Sequence, residues 1–159
     1  MKQSQPSNWP DIARAVFSHI RESFPDLAMR DSESSEGDPE LTIPVQPGLR
    51  FEVSLYLYGD ALHVCAGEFS GEWFSSTRSE VVSQYVDAVT GLLEGRLRIV
   101  EHFRGERLVK AFLQRPMSSG WANMSRYYRG FSLPWLRTRQ RVLQNLATEP
   151  RSVPLDLLS

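Results

Sequence analysis

The residues best suited to chemistry lie in an arginine- and aromatic-rich segment near the C-terminus. Its members are Arg126, Tyr127, Tyr128, Arg129, Trp135, Arg137, Arg139 and Arg141. Guanidinium groups bind carboxylates and phosphates, and aromatic rings fill apolar pockets or stack on unpaired bases. The segment therefore fits a protein interface, a single-stranded nucleic-acid site, or an internal role in which the arginines pair with acidic residues elsewhere.

A second group of reactive side chains consists of His63, Cys65 and His102. His63 and Cys65 are two residues apart in a strand-like segment and so share a face. A zinc site usually needs four ligands, and the chain has a single cysteine. We therefore predict no metal site and no cofactor, and we interpret Cys65 as a structural residue rather than a nucleophile.

The common catalytic signatures are missing from the sequence. It contains no GxxxxGK[ST], GxGxxG, GxSxG or HExxH motif. Carboxylates such as Glu68, Glu72 and Glu101 lie near basic residues, a pattern more typical of surface ion pairs than of an acid–base pair. We therefore expect a non-enzymatic protein and keep an unrecognised enzyme as an alternative.

The segment at 51–58 provides another candidate surface. Apolar residues at 51, 53, 55 and 57 alternate with Glu52, Ser54, Tyr56 and Tyr58, which predicts a strand with one face on a core. Gly59 and Asp60 then turn the chain into a second strand. We predict that Tyr56 and Tyr58 line the open face of the sheet and contribute to partner binding.

The remaining elements follow from apolar periodicity and from turn residues. A first helix begins after Asn8 and ends at Pro25, and a second runs from a capping box at Thr77 and Glu80 to Gly95. Further strands are predicted at 41–45, at an edge, at 68–74, and in a hairpin over 96–113 closed near 104–106. A third helix is predicted to follow Ser132 and Pro134, whereas 121–131 shows no firm period.

Together these elements predict a single α+β domain over residues 1–159 in the order α-β-β-β-α-β-β-α. We expect an antiparallel or mixed sheet of about five strands with the helices mainly on one face. Residues 1–8 are predicted to be a flexible N-terminus and 147–159 a C-terminal tail. Residues 30–40, rich in acidic residues and serines, are predicted to be a mobile loop because they are too polar to bury.

Charge is divided unevenly along the chain, although its net value is −1. Residues 1–95 contain six lysines or arginines and fifteen acidic residues, a net charge of −9, whereas residues 96–159 contain twelve and four, a net charge of +8. Either the two halves neutralise each other, or a basic face meets an acidic partner or a phosphate backbone. The sequence pI of about 6.3 argues against a dedicated nucleic-acid binder.

The setting is predicted to be cytoplasmic, with no membrane partner. No apolar stretch approaches the roughly 18 residues that span a bilayer, and the N-terminal residues have no apolar core of a secretory signal. Cys65 has no second cysteine in the chain with which to form a disulfide.

The order of elements over residues 9–146 resembles that of small bacterial type III secretion chaperones. This resemblance implies a non-enzymatic homodimer that holds a segment of a partner protein. The arginine-rich C-terminal part departs from the acidic character typical of that group. We therefore predict a chaperone-like or immunity-like protein-binding module, with a nucleic-acid-binding module as an alternative.

Overall fold

A computed structural model describes residues 8–130 and 133–146. The described chain forms the helices α1 (Trp9–Ser23) and α2 (Ser79–Leu93) and the strands β1 (Arg30–Glu33), β2 (Pro39–Ile43), β3 (Val53–Tyr58), β4 (Ala61–Ala66), β5 (Phe69–Phe74), β6 (Arg98–Arg104), β7 (Arg107–Met117), β8 (Gly120–Tyr128) and β9 (Thr138–Leu143).

These strands form two antiparallel sheets. The first sheet has the order β1-β2-β3-β4-β5, and the second has the order β8-β7-β6-β9. The α+β class is confirmed, although two sheets of five and four strands replace the one sheet of about five strands that we predicted. Both helices contact strands of the first sheet, α1 at β2 and β3 and α2 at β4 and β5.

A continuous apolar core lies between the helices and the first sheet and extends to the second sheet. The alternating residues of β3 and β4 point into it, as predicted, and Tyr85 of α2 is fully buried there. The Tyr85 hydroxyl donates a 2.9 Å hydrogen bond to the carbonyl oxygen of His63, which satisfies its polar atom. Ile99 and Leu113 of the second sheet belong to the same core.

The acidic segment is a hairpin, so the prediction of a loop over 30–40 was wrong. Its strands are β1 and the first residues of β2, and β2 lies between β1 and β3 rather than at an edge. The carboxylates on β1 are paired with α1: Arg21 lies 2.6 Å from Asp31 and Arg14 lies 3.4 Å from Glu33. Residues too polar to bury can thus join a sheet because the neighbouring helix supplies cations.

The end of the chain differs most from the prediction. Residues 138–143, expected in a third helix, form β9, and residues 120–128, where no pattern was clear, form β8. Arg139, Arg141 and Leu143 alternate with Thr138, Gln140 and Val142, which is the period of a strand. Ser132, predicted as the helix cap, lies outside the described residues.

Helix starts follow the sequence only in part. Asn8 directly precedes α1, but its side chain makes no capping hydrogen bond. The capping box at α2 was wrong, because α2 begins after Arg78. The Thr77 hydroxyl instead lies 2.8 Å from the Ser75 hydroxyl, and Glu80 pairs with Arg78 at 3.1 Å.

Two of the predicted segments lie at the ends of the chain. The flexible N-terminus at 1–8, apart from Asn8, and the tail at 147–159 lie outside the described residues, and the resemblance to secretion chaperones stays a prediction. Among the described residues, neither helix has the length and apolar character needed to cross a membrane.

The residues after β9 connect the C-terminal end of the described chain to the segment before β3 and to the end of α2. The Asn145 side chain accepts a 2.8 Å hydrogen bond from the Arg50 backbone N–H and donates one of 3.0 Å to the Leu92 carbonyl. Gly95, with φ of +73°, lies in the turn after α2 and is in direct contact with this segment. A Cβ at Gly95 would overlap the Asn145 carbonyl oxygen.

We predict that Gly95→Ala lowers the free energy of unfolding by about 2 to 4 kcal/mol, because it adds a steric overlap to an unfavourable positive φ. The matched control is Gly59→Ala, where φ is +58° and nothing lies within 4 Å of the added carbon. The control should cost only about 1 kcal/mol. Equal decreases in the free energy of unfolding of the two variants, measured by chemical denaturation, would show that the contact with Asn145 does not contribute to stability.

Candidate partner-binding face

The second sheet has an inner face toward the rest of the protein and an outer face on the opposite side. Paired residues of antiparallel strands point to the same side. The registers therefore assign to the outer face Arg98, Val100, His102, Arg104, Arg107, Lys110, Phe112, Gln114, Pro116, Trp121, Asn123, Arg126, Tyr128, Thr138, Gln140 and Val142.

This outer face is basic. The four strands contain eight lysines or arginines and one carboxylate, Glu101, whose side chain is 0% exposed on the inner face. Arg98, Arg104, Lys110 and Arg126 point outward. Arg107, which pairs with Arg104, lies on the same side. The strands therefore place five cations and no carboxylate on this side, and the face attracts anions.

One row of the outer face is held rigidly by side-chain contacts. The Arg98 Nε donates a 2.9 Å hydrogen bond to Gln114 Oε1, and Gln114 Nε2 donates one of 2.9 Å to Asn123 Oδ1. The Arg98 guanidinium also lies 4.0 Å from the centre of the Trp121 ring. A cation fixed in this way loses little entropy when it binds an anion.

The next row is apolar and crosses the sheet. Phe112, Val100 and Val142 are cross-strand neighbours on β7, β6 and β9, and Arg126 on β8 ends the row. Val100 is 1% exposed, but Val142 at the edge is 47% exposed. Exposed apolar side chains within a basic face are typical of a binding surface rather than of ordinary solvated surface.

Beyond the apolar row is a shallow depression of about 510 Å³. His102, Arg104, Lys110, Thr138 and Gln140 line it. Burial, and then the charge of Lys110, lower the pKa of His102 below its ordinary value of 6.5. His102 is therefore neutral at pH 7 and offers a hydrogen-bonding ring beside the cations.

An exposed turn follows β8 and lies next to this depression. Trp135 is 75% exposed there, between Leu133 and Leu136, which are also exposed. The Arg104 Nη1 donates a 2.8 Å hydrogen bond to the Pro134 carbonyl, and the Gly105 N–H donates one of 2.9 Å to the Arg137 carbonyl. The predicted residues Trp135 and Arg137 are therefore on the surface.

Other predicted residues point inward and have internal partners. Arg141 Nε lies 2.5 Å from Glu101 Oε2, and Arg129 lies 2.7 Å from Glu68. The Glu68 backbone N–H donates a 2.6 Å hydrogen bond to the same Glu101 side chain. The hydrogen bond to Glu101 raises the pKa of Arg141, which stays charged.

Tyr127 and Arg139 also belong to the inner side of the sheet. Tyr127 packs partly buried against the core, and the Arg139 guanidinium lies 4.6 Å from the centre of the Phe103 ring. Of the predicted segment, the structure therefore places Arg126 and Tyr128 on the outer face and Trp135 and Arg137 on the exposed turn. Tyr127, Arg139 and Arg141 belong to the inner side, and Arg129 forms an exposed ion pair with Glu68.

Tyr56 and Tyr58 lie on the outer face of the first sheet, as predicted. The Tyr56 ring stacks on His63 with centroids 4.8 Å apart, and Tyr58 meets the edge of His63 at 6.3 Å. Tyr58 is well exposed, whereas Tyr56 is half-buried. These tyrosines are on a different sheet from Arg126 and Tyr128, so the predicted residues do not form one surface.

The described residues give no geometry for a catalytic or metal site at His63, Cys65 and His102. His63 and Cys65 are on the first sheet, whereas His102 is on the outer face of the second. Cys65 Sγ lies 3.7 Å from the Tyr56 hydroxyl and 3.5 Å from that of Ser70, and neither is a general base at neutral pH. Among residues 8–130 and 133–146, no group of three metal-binding side chains comes together.

Sequence reasoning missed the residues contributed by β6 and β7. The sequence analysis assigned no partner-binding role to Arg98, Lys110, Phe112 or Trp121. One sequence pattern could have identified this face. Lys110, Phe112 and Gln114 alternate with Ala111 and Leu113, which separates a polar and aromatic face of the strand from a small apolar one.

Comparison with protein-family models, with curated proteins and with solved structures finds no match to this chain. The function is therefore argued from the geometry of the face.

We predict that Arg141→Met lowers the free energy of unfolding by about 3 kcal/mol, because it leaves the Glu101 carboxylate buried without its cation. Glu101→Gln should cost only about 1 kcal/mol, since Arg141 is 45% exposed and can turn to water. Arg30→Met, which removes an exposed cation 3.9 Å from Glu52, is the control and should change stability little. Similar decreases in the free energy of unfolding for all three variants, measured by urea denaturation, would contradict a stabilising role for the pair of Arg141 and Glu101.

We also predict a pH effect at His63. Burial lowers the pKa of His63 below its ordinary value of 6.5, and the nearby Glu72 charge only partly opposes this effect. Protonation therefore favours the unfolded chain, so the contribution of His63 is lost as pH falls from about 6.5 through its folded pKa. His63→Phe preserves an aromatic ring against Tyr56 and should lose less stability than the wild type between pH 7.5 and pH 5. Parallel stability curves for the two proteins would rule out this effect.

Proposed function

We propose that this protein is a non-enzymatic, chaperone-like or immunity-like module that binds an acidic segment of a partner protein on the outer face of the second sheet. One observation carries the proposal: Arg98, Arg104, Lys110 and Arg126 point outward from four strands that place no carboxylate beside them. The apolar row and the exposed aromatic rings on the same face supply the area that binding requires.

A protein partner fits this face better than nucleic acid does. Stacking on bases requires open ring faces, but Arg98 covers Trp121 at 4.0 Å and Lys110 lies 5.5 Å from the Phe112 centroid. The apolar row that ends at Val142 has no counterpart in a phosphate backbone, whereas it matches apolar side chains of a protein. Binding to nucleic acid stays the alternative that the experiment below separates.

A second copy of this chain is a poor occupant of the basic face. A twofold contact there would place the five cations of one protomer against those of the other, and like charges in contact oppose association. The homodimer that we predict would use another surface, such as the outer face of the first sheet, where Tyr58 and Phe74 are exposed on either side of Ala61. The proposal also includes the cytoplasmic, membrane-free setting predicted from the sequence.

Charge reversal on the face tests the proposal. We expect Lys110→Glu with Arg126→Glu to lower the affinity for the partner by about tenfold or more, since both residues point outward and the face has no carboxylate to compensate. Arg50→Glu, an exposed arginine before β3, is the matched control and should bind as the wild type does. Circular dichroism and thermal unfolding confirm that each variant is folded.

The measurement is affinity capture from a native lysate with tagged wild type, face variant and control, with and without nuclease. A protein that survives nuclease, has an acidic segment and is lost only with the face variant supports the proposal. Nucleic acid recovered at low salt, with all proteins lost on nuclease treatment, would support the alternative instead. A partner retained by the face variant would overturn the assignment of this face.

A further inference from the structure

We infer that the segment held on this face is an acidic amphipathic helix of the partner protein, about three turns long, which lies across the strands of the second sheet. The inference rests on the proposed function and adds the conformation, the length and the direction of the bound segment.

The apolar row sets the length. It runs from Arg126 on β8 to Val142 on β9, and so crosses three gaps between strands. Val100 is only 1% exposed and forms the floor of the row, so the apolar side chains that a partner contacts are those of Phe112 and Val142. Strands are about 4.8 Å apart, which gives a row of roughly 14 Å. A helix rises 1.5 Å per residue, so about ten residues cover the row, with apolar side chains at i, i+3, i+4 and i+7.

Polar rows lie on both sides of the apolar row at the distance that a helix needs. Arg98, Gln114 and Asn123 form one, and Lys110, His102 and Gln140 belong to the other. Each is two residues along the strands from the apolar row, roughly 7 Å away. The side chains of a helix about 10 Å wide reach that far on either side, so glutamates flanking its apolar stripe would meet Arg98 and Lys110.

An extended segment fits this face poorly. Strand addition uses the unpaired backbone groups at the edge of a sheet. The apolar row instead crosses β7 and β6, which are paired on both sides within the sheet. Only side chains are offered there, and a helix satisfies its own backbone groups while it presents an apolar stripe.

The cation at one end of the row sets the direction. A helix carries partial negative charge at its C-terminus. Arg126 ends the row on β8, whereas Val142 ends it on β9 without a charge on the outer face. The bound helix should therefore run with its C-terminus over Arg126 and its N-terminus over Val142.

Three synthetic peptides of about 14 residues test the inference. The first has leucines at helical spacing flanked by glutamates and a covalent staple, because a free helix of this length is marginal in water. The second has the same composition with leucine and glutamate in alternation, and the third is the stapled peptide with glutamine in place of glutamate. Binding is measured by fluorescence anisotropy with wild type, Val142→Ser and the matched control Val45→Ser, an exposed valine outside the second sheet.

We expect the stapled acidic peptide to bind at least about tenfold more tightly than either of the other two peptides. Val142→Ser should weaken its binding about fivefold, and Val45→Ser should leave it unchanged. A spin label on the peptide C-terminus should broaden the backbone NMR signals of Arg126 and Tyr128 more than those of Val142 and Leu143.

The outcomes separate this inference from the proposed function. If the alternating acidic peptide binds as tightly as the stapled one, the helix inference is overturned and an acidic partner on this face still stands. If the glutamine peptide binds as tightly as the acidic one, both ideas lose their electrostatic basis. Absence of binding by all three overturns the inference, while lysate capture still decides the proposed function. Stronger broadening of the Val142 and Leu143 signals than of the Arg126 and Tyr128 signals would contradict only the predicted direction of the bound helix.

Discussion

One buried carboxylate connects three distant parts of the chain. Glu101 on β6 accepts hydrogen bonds from the Glu68 backbone at the β4–β5 turn and from Arg141 on β9. A carboxylate without solvent needs such partners, so the second sheet, its last strand and the first sheet are fixed together at this point. The register that places Arg141 inside also places Gln140 and Val142 outside. The composition of the outer face therefore follows from an interaction on the inner face.

The uneven distribution of charge along the chain has two structural outcomes. Arg129 and Arg141 from the basic half pair with Glu68 and Glu101, so part of the charge is neutralised within the protein's own ion pairs, one exposed and one at the buried Glu101. Arg98, Lys110 and Arg126 point the other way and have no carboxylate beside them within the four strands. Partial neutralisation between the two halves is thus present, and a basic face exists beside it, whose partner stays a prediction. The alternation of the strands determines which arginines pair internally and which point outward.

The sequence predicted those parts of the fold in which local signals agree with tertiary packing. The helix ending near Gly95 and the hairpins at Gly59 and Gly105 have clear periods and turn residues. The sequence did not predict those elements whose structure depends on residues distant in the chain. β1 is too polar to be recognised as a strand from its sequence, because the arginines of α1 that pair with it are distant in the chain. Arg141 resembles a surface residue in the sequence, because its buried partner Glu101 is also distant in the chain. The same limit explains why the predicted arginines were divided between two faces.

The bond between Asn145 and Arg50 spans 95 residues of sequence, and β9 enters its sheet beside β6, which lies about forty positions earlier. Contacts of such long sequence separation form late, because the loop that they close must first lose its entropy. The antiparallel hairpins from β1 to β5 join near neighbours and can form as soon as they are synthesised. Val142 and Gln140 take their positions only when residues 138–146 dock. A nascent chain would therefore complete the outer face of the second sheet as the last step of folding, at the same time as Leu143 of β9 packs against the hydrophobic core.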